Sequence, residues 1–205
     1  MSRNGLAVVC LALGAAIAGG VALSGDERPH DPSIVRVELE GATGAADVAT
    51  GFVVAPGRVV TVAHVLEPDR RLVVRGGNGV ARRARVLRQD HRDDLALLAV
   101  PGLTAVPFRG ASASGTHLLV RRGRGTAALR TAIRRRVQAT VRGPSWGPFR
   151  RPALELATSV ELGDSGAPLV DDGGRVAGVL FARASDGRRT AWAVGASAVS
   201  ALLSR

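Results

Sequence analysis

From Ile34 to Val194 the chain is punctuated too often for helices: short apolar runs, alternating in period two, are cut by Gly, Pro and Asp at close intervals. The first set of runs is Ile34 to Leu39, Phe52 to Ala55, Val59 to Val62, Leu72 to Arg75, Ala84 to Arg88 and Leu95 to Val100. Pro101-Gly102 and the stretch from Gly110 to Gly115 form a break. A second set follows: Leu118 to Arg121, Ile133 to Val141, Leu154 to Leu156, Ala167 to Val170, Val176 to Phe181 and Ala191 to Val194. In the longest run, Ile133, Val137, Ala139 and Val141 share one face, and Arg134, Arg136, Gln138 and Thr140 the other. Those arginines read as the wet face of a strand. Asp171-Asp172-Gly173-Gly174 is a hairpin signal. Only the tail, Ser197 to Ser204, has helical spacing, with Ser197 as its N-cap. The pattern predicts an all-β protein whose strands fall into two groups parted near residue 110 and closed by a terminal helix. A pair of antiparallel barrels and a single sandwich both satisfy it.

With 205 residues, 46% of them hydrophobic, one domain or two packed halves can bury a core, and a large multidomain machine is excluded. Aromatic residues are only 3% and Tyr is absent, so Val, Leu and Ala must fill that core. A net charge of +11 raises the question of anionic partners. All 28 basic residues are Arg, however, and so one-sided a choice points to a genome-wide compositional bias rather than a binding surface. No aromatic residues interleave with the arginines at 82–88 or 121–136, as base stacking would require, so no nucleic-acid partner is expected.

Leu6 to Leu23 is an uninterrupted apolar run after a single Arg, followed by polar residues 24–29. Residues 1–24 therefore read as a signal peptide or a short membrane anchor, with the tether in 6–23. Residues 25–33, with Pro29 and Pro32, read as a linker. The expectation is a secreted, periplasmic or cell-envelope protein, monomeric, with its domain over 34–205, its halves at about 34–109 and 110–195, and its helix at 197–204. Cys10, the only cysteine, lies in the leader, so the exported domain has no disulfide.

Hydrolysing an amide through a serine needs a hydroxyl, an imidazole to take its proton, a buried acid to orient the imidazole and donors for the oxyanion. Ser165 lies in the turn Gly163-Asp164-Ser165-Gly166, where the amides of Gly163 and Ser165 are candidate oxyanion donors. His64 follows the apolar run Thr61-Val62-Ala63. Asp94 opens Asp94-Leu95-Ala96-Leu97-Leu98, where an apolar strand enters the core, and Asp93 is its rival one residue earlier. Each signal alone is a turn, a surface histidine or a cap. In the order His, Asp, Ser, with a strand beside each, they point to one site. His30, His91 and His117 have no metal-ligand spacing, so neither metal nor cofactor is expected. Arg121-Arg122-Gly123-Arg124-Gly125 lacks the Lys-Ser/Thr of a phosphate loop.

Over nearly all of 34–205 these motifs resemble the trypsin or chymotrypsin-like serine proteases, especially the exported or membrane-tethered proteases of actinobacteria. The likeness rests on Gly51-Phe52-Val53-Val54, Thr61-Val62-Ala63-His64, Asp94-Leu95-Ala96-Leu97-Leu98, Gly163-Asp164-Ser165-Gly166-Ala167-Pro168-Leu169 and Gly178-Val179-Leu180-Phe181. The resemblance implies two perpendicular six-stranded antiparallel barrels, a serine endopeptidase acting on protein or peptide substrates, and a cleft holding His64 as general base, Asp94 as orienter and Ser165 as nucleophile. It also places Ser159 at the base of the primary pocket and Phe181, Ala182 and Arg183 along its wall. The neutral Ser159 argues for small to medium apolar residues in the substrate. Ala167 replaces the family's second motif glycine. No Ile-Val-Gly-Gly start exists, so Asp164 needs a charge partner other than a freed N-terminus.

Overall fold

The computed structural model describes residues 7–10, 26–28, 31, 33–41, 48–67, 69–122, 125–142, 148–186 and 188–204. Six strands close the first half into a barrel: β3 (Ile34–Leu39), β4 (Val48–Ala55), β5 (Arg58–Val62), β6 (Leu72–Arg75), β7 (Ala81–Asp90) and β8 (Leu95–Ala99), in the order β3-β4-β5-β8-β7-β6. All neighbours in this barrel are antiparallel. Closure leaves no free edge. The barrel strands carry apolar side chains on both faces, with Ile34, Val35, Phe52, Val59, Val60, Leu95 and Leu98 fully buried. Gly51 is required there: a Cβ would fall 2.8 Å from Val59 Cγ1 and 2.9 Å from Val37 Cγ2.

The second half is one sheet built on β12 (Ile133–Arg142), β13 (Phe149–Leu156), β16 (Ala191–Gly195), β15 (Arg175–Arg183), β14 (Pro168–Val170), β10 (His117–Arg122) and β11 (Gly125–Arg130), in that spatial order. Three further strands bring it to ten, beyond the six expected of the second half. β9 (Arg109–Ala111) pairs in parallel with β15, β1 (Ala7–Cys10) in parallel with β12, and β2 (Asp26–Arg28) antiparallel with β11. The last two cover sheet edges, which otherwise present unpaired backbone groups. The stretch read as a linker thus contains a strand, because the edge of β11 supplies a partner that sequence pattern cannot reveal. Beyond Ala7–Cys10, the leader reading falls outside the described residues. No helix among the described residues is long and apolar enough to cross a membrane.

The tail forms α1 (Ala196–Ser204), which buries Ala196, Val199 and Leu202. Arg88 on β7 donates to the Leu202 carbonyl near the end of α1, so a first-half arginine satisfies a helix C-terminal acceptor and ties the halves together.

The expected hairpin joins β14 to β15. Asp171 Oδ1 accepts the N–H groups of Gly173 (3.0 Å) and Arg175 (2.9 Å), and Oδ2 accepts Arg175 Nε (2.9 Å). The Arg175 N–H chiefly, with the Ser112 hydroxyl and the Arg175 side chain, lowers the Asp171 pKa to about 2. An acid depressed in the folded state contributes stability above its unfolded value and loses it as pH falls through the folded one. Acidification from pH 4 to pH 2 should therefore lower the melting temperature of the wild type more steeply than that of Asp171→Asn. Equal slopes in a pH series of thermal melts would exclude this role.

Candidate active site

β5 ends in a turn in which Leu66 N–H bonds the Ala63 carbonyl, and this turn presents His64 at the surface. Ala63 N–H in turn donates to the Asp94 carbonyl (3.0 Å), which fastens the start of β8 to the end of β5. The Asp94 carboxylate then grips the histidine twice. Oδ1 accepts the His64 backbone N–H at 2.9 Å, and Oδ2 lies 2.7 Å from Nδ1. Asp94 is buried at 6% exposure and has φ of 56°, the left-handed region that Asp tolerates better than most residues. Its rival Asp93 donates its N–H to Asp90 Oδ1 within the preceding turn, so the acid joined to the imidazole is Asp94.

The serine turn comes from the other half. Gly166 N–H donates to the Leu180 carbonyl on β15, and Leu180 N–H to the Ala167 carbonyl. On its other side the turn is sewn to Thr50 of β4. Thr50 N–H donates to the Ser165 carbonyl (2.8 Å), and its hydroxyl donates to the Gly163 carbonyl (3.1 Å) while accepting Arg121 N–H (3.1 Å). The Thr50 carbonyl accepts the Thr61 hydroxyl at 2.8 Å. A Cβ on Gly166, whose φ is 88°, would fall 2.0 Å from Thr50 O and 2.7 Å from Thr61 Oγ1. The turn therefore rests on Thr61, three residues before His64, and only glycine permits that approach.

Gly163 has φ of 94°. Among the described residues, neither its N–H nor that of Ser165 makes a hydrogen bond, so two amides stand unused beside the half-buried serine. Among the same residues no hydrogen bond joins the Ser165 hydroxyl to His64; what brings them near is the backbone contact of the turn with β4 and β5. Asp164, 2% exposed, accepts the Glu161 N–H at 2.8 Å. Ala167 is fully buried, and its methyl fits where the family pattern has glycine.

Of the residues that the resemblance assigns to a substrate pocket, Ser159 and Arg183 are exposed and Ala182 is half-buried. Phe181 is 1% exposed. It sits at a register shift between Leu180 and Ala182, and such a bulge re-aims a side chain. Its ring faces the guanidinium of Arg151, whose Cζ is 3.8 Å from the ring centroid. Sequence pattern alone singles out neither Arg151 nor Thr50. The available signal for Arg151 was the alternation of β13, which puts it on the inner face with Ala153. Among the described residues no cluster of side chains suits a metal ion.

A histidine held by a buried acid at the mouth of a six-stranded barrel, with a glycine-flanked serine laid against the same barrel, is the arrangement of a serine-type peptidase. The chain belongs to the trypsin-like peptidase family, whose domain model matches residues 49–179. The serine protease Rv3671c of Mycobacterium tuberculosis is 33% identical over 185 residues, covering 85% of this chain and 46% of that protein. The serine protease HTR4 of Bos taurus is 29% identical over 164 residues, covering 72% and 34%. The chain thus spans less than half the length of these curated relatives. Among solved structures, the active form of the Rv3671c protease superposes with a TM-score of 0.72 at 29% identity, covering 92% of this chain and 93% of that one. An inactive form gives 0.68 at 31% identity, covering 85% and 89%.

Proposed function

We propose that the protein is an exported serine endopeptidase that cleaves peptide bonds through Ser165, His64 and Asp94 by way of an acyl-enzyme. The observation that carries this reading is the double grip of Asp94 on His64, with 2.7 Å between Oδ2 and Nδ1. An imidazole so held keeps its Nδ1 proton toward the carboxylate and leaves Nε2 free to accept one. Ser165 Oγ attacks the substrate carbonyl carbon while Nε2 takes the hydroxyl proton. The carbonyl oxygen becomes an oxyanion, for which the free N–H groups of Gly163 and Ser165 are the donors, each contributing on the order of 3 kcal/mol. Collapse expels the amine with the proton from Nε2. Water, deprotonated by the same nitrogen, then releases the acid and restores Ser165.

Export is supported by the apolar run Leu6 to Leu23, and places the enzyme outside the cytoplasm or in the cell envelope. The exposed, neutral Ser159 supports small to medium apolar residues before the cleaved bond. Ala182 and Arg183 remain candidate pocket walls, whereas Phe181 would serve from beneath, through Arg151. The test is a fluorophosphonate probe on the purified protein together with a peptide-library cleavage profile. Covalent labelling and cleavage after small apolar residues are expected. A folded protein that takes no label would instead be an idle protease-like binding module.

A further inference from the structure

Arg151 on β13 is 0% exposed, a placement that costs several kcal/mol per ion unless something is returned. Its Nη1 donates to the Arg92 carbonyl at 3.1 Å, while Nε and Nη2 make no hydrogen bond. Nη2 lies 3.9 Å from Asp94 Oδ2, the same oxygen that takes His64 Nδ1 at 2.7 Å. The Phe181 ring supports the guanidinium face. Packing alone could be served by apolar side chains throughout, since replacing a whole buried ion pair by hydrophobic residues of similar volume is often neutral or stabilising.

We propose that Arg151 is a positioning residue for the His64–Asp94 pair, reaching from the second half to clamp the turn at Arg92 and to hold the Asp94 carboxylate aimed at the imidazole. This rests on the reading of His64 and Asp94 as base and orienter. Arg151 spans from the carbonyl at 92 to the carboxylate at 94, and so fixes both ends of the segment in which Asp94 adopts its left-handed φ of 56°. The charged groups facing it are Asp94, Asp93 and Asp90, all from the end of β7 and the turn into β8; His64 faces Asp94 from the turn after β5, and uncharged Phe181 approaches from β15. Burial lowers the Arg151 pKa, and Asp94, Asp93 and Asp90, in that order, oppose the shift. The guanidinium cation also acts on the base: a positive charge 3.9 Å from Oδ2 offsets part of the attraction between that oxygen and an imidazolium.

Removing the cation while keeping the bulk, in Arg151→Met, should move the acid limb of the kcat/KM profile upward by about one pH unit. It should also lower kcat about 10-fold or more with little change in KM. Arg151→Lys should restore the acid limb but only part of kcat, because a point charge cannot clamp Arg92 and face Asp94 together. A folded Arg151→Met with a wild-type acid limb and kcat would overturn the proposal. If Arg151→Met fails to fold, Arg151→Lys decides it, and a wild-type kcat there overturns it. Following the His64 ring signals by NMR against pH in Ser165→Ala and in Ser165→Ala/Arg151→Met reads the same shift without turnover. Failure of the protease reading, seen as absent probe labelling of the wild type, is thereby separated from failure of this one.

Discussion

Ser165→Ala should yield a protein that melts like the wild type, takes no fluorophosphonate label, and has a kcat lower by about 10⁴-fold or more. The fold should survive because the bonds that hold this turn are backbone bonds. Ser165 contributes its carbonyl to Thr50, and Gly166 its N–H to Leu180, and neither depends on the hydroxyl. Alanine removes one oxygen from a half-buried position and leaves both free amides in place. The residual rate should then be that of a site that still binds and polarises the carbonyl but has no nucleophile. Equal labelling of wild type and variant would place the reactive group elsewhere.

Asp94→Asn should be nearly as damaging, lowering kcat about 10⁴-fold while KM stays within a few-fold of wild type. Asparagine accepts a positive φ as readily as aspartate, so the turn is preserved. Once its carbonyl takes the His64 backbone N–H, however, it offers an N–H to Nδ1. The ring is driven into the tautomer that carries its proton on Nε2, the nitrogen that must be bare. Arg151 simultaneously loses its nearest anion, so stability should fall by about 3 kcal/mol. Asp93→Asn is the control, with expected activity close to wild type. Loss of activity in both variants alike would mean that charge in the turn, not the Asp94 contact, matters.

The strands and the three principal residues were legible because each is a local matter. Alternation needs only neighbouring positions, and His64, Asp94 and Ser165 each lie at the end of a run that can be read directly. β2, β9 and β11 were not legible, since Asp26–Arg28 and Arg109–Ala111 are too short and polar to announce a strand and Gly125–Arg130 adjoins an arginine- and glycine-rich stretch, and β1 lies in a run that reads as leader; β12, β11, β15 and β10 lend β1, β2, β9 and β11 their partners. Thr50 and Arg151 escaped for a related reason. A threonine in a strand and an arginine in an Arg-rich chain are unremarked until tertiary structure decides what they touch. Phe181 illustrates the limit of reasoning by motif, because a bulge of one residue turns a candidate wall into the support of a buried cation.

Thr50 spends all its polar groups on other elements: its N–H and hydroxyl on the serine turn, the hydroxyl again on Arg121, and its carbonyl on Thr61. It is fully buried, so any group that lets go finds no water to replace its partner. Sliding one half of the molecule past the other therefore cannot loosen these bonds one at a time. The three that cross between the halves, from Thr50 to Ser165, Gly163 and Arg121, converge on a single residue, so the alignment of serine with histidine depends on where Thr50 sits.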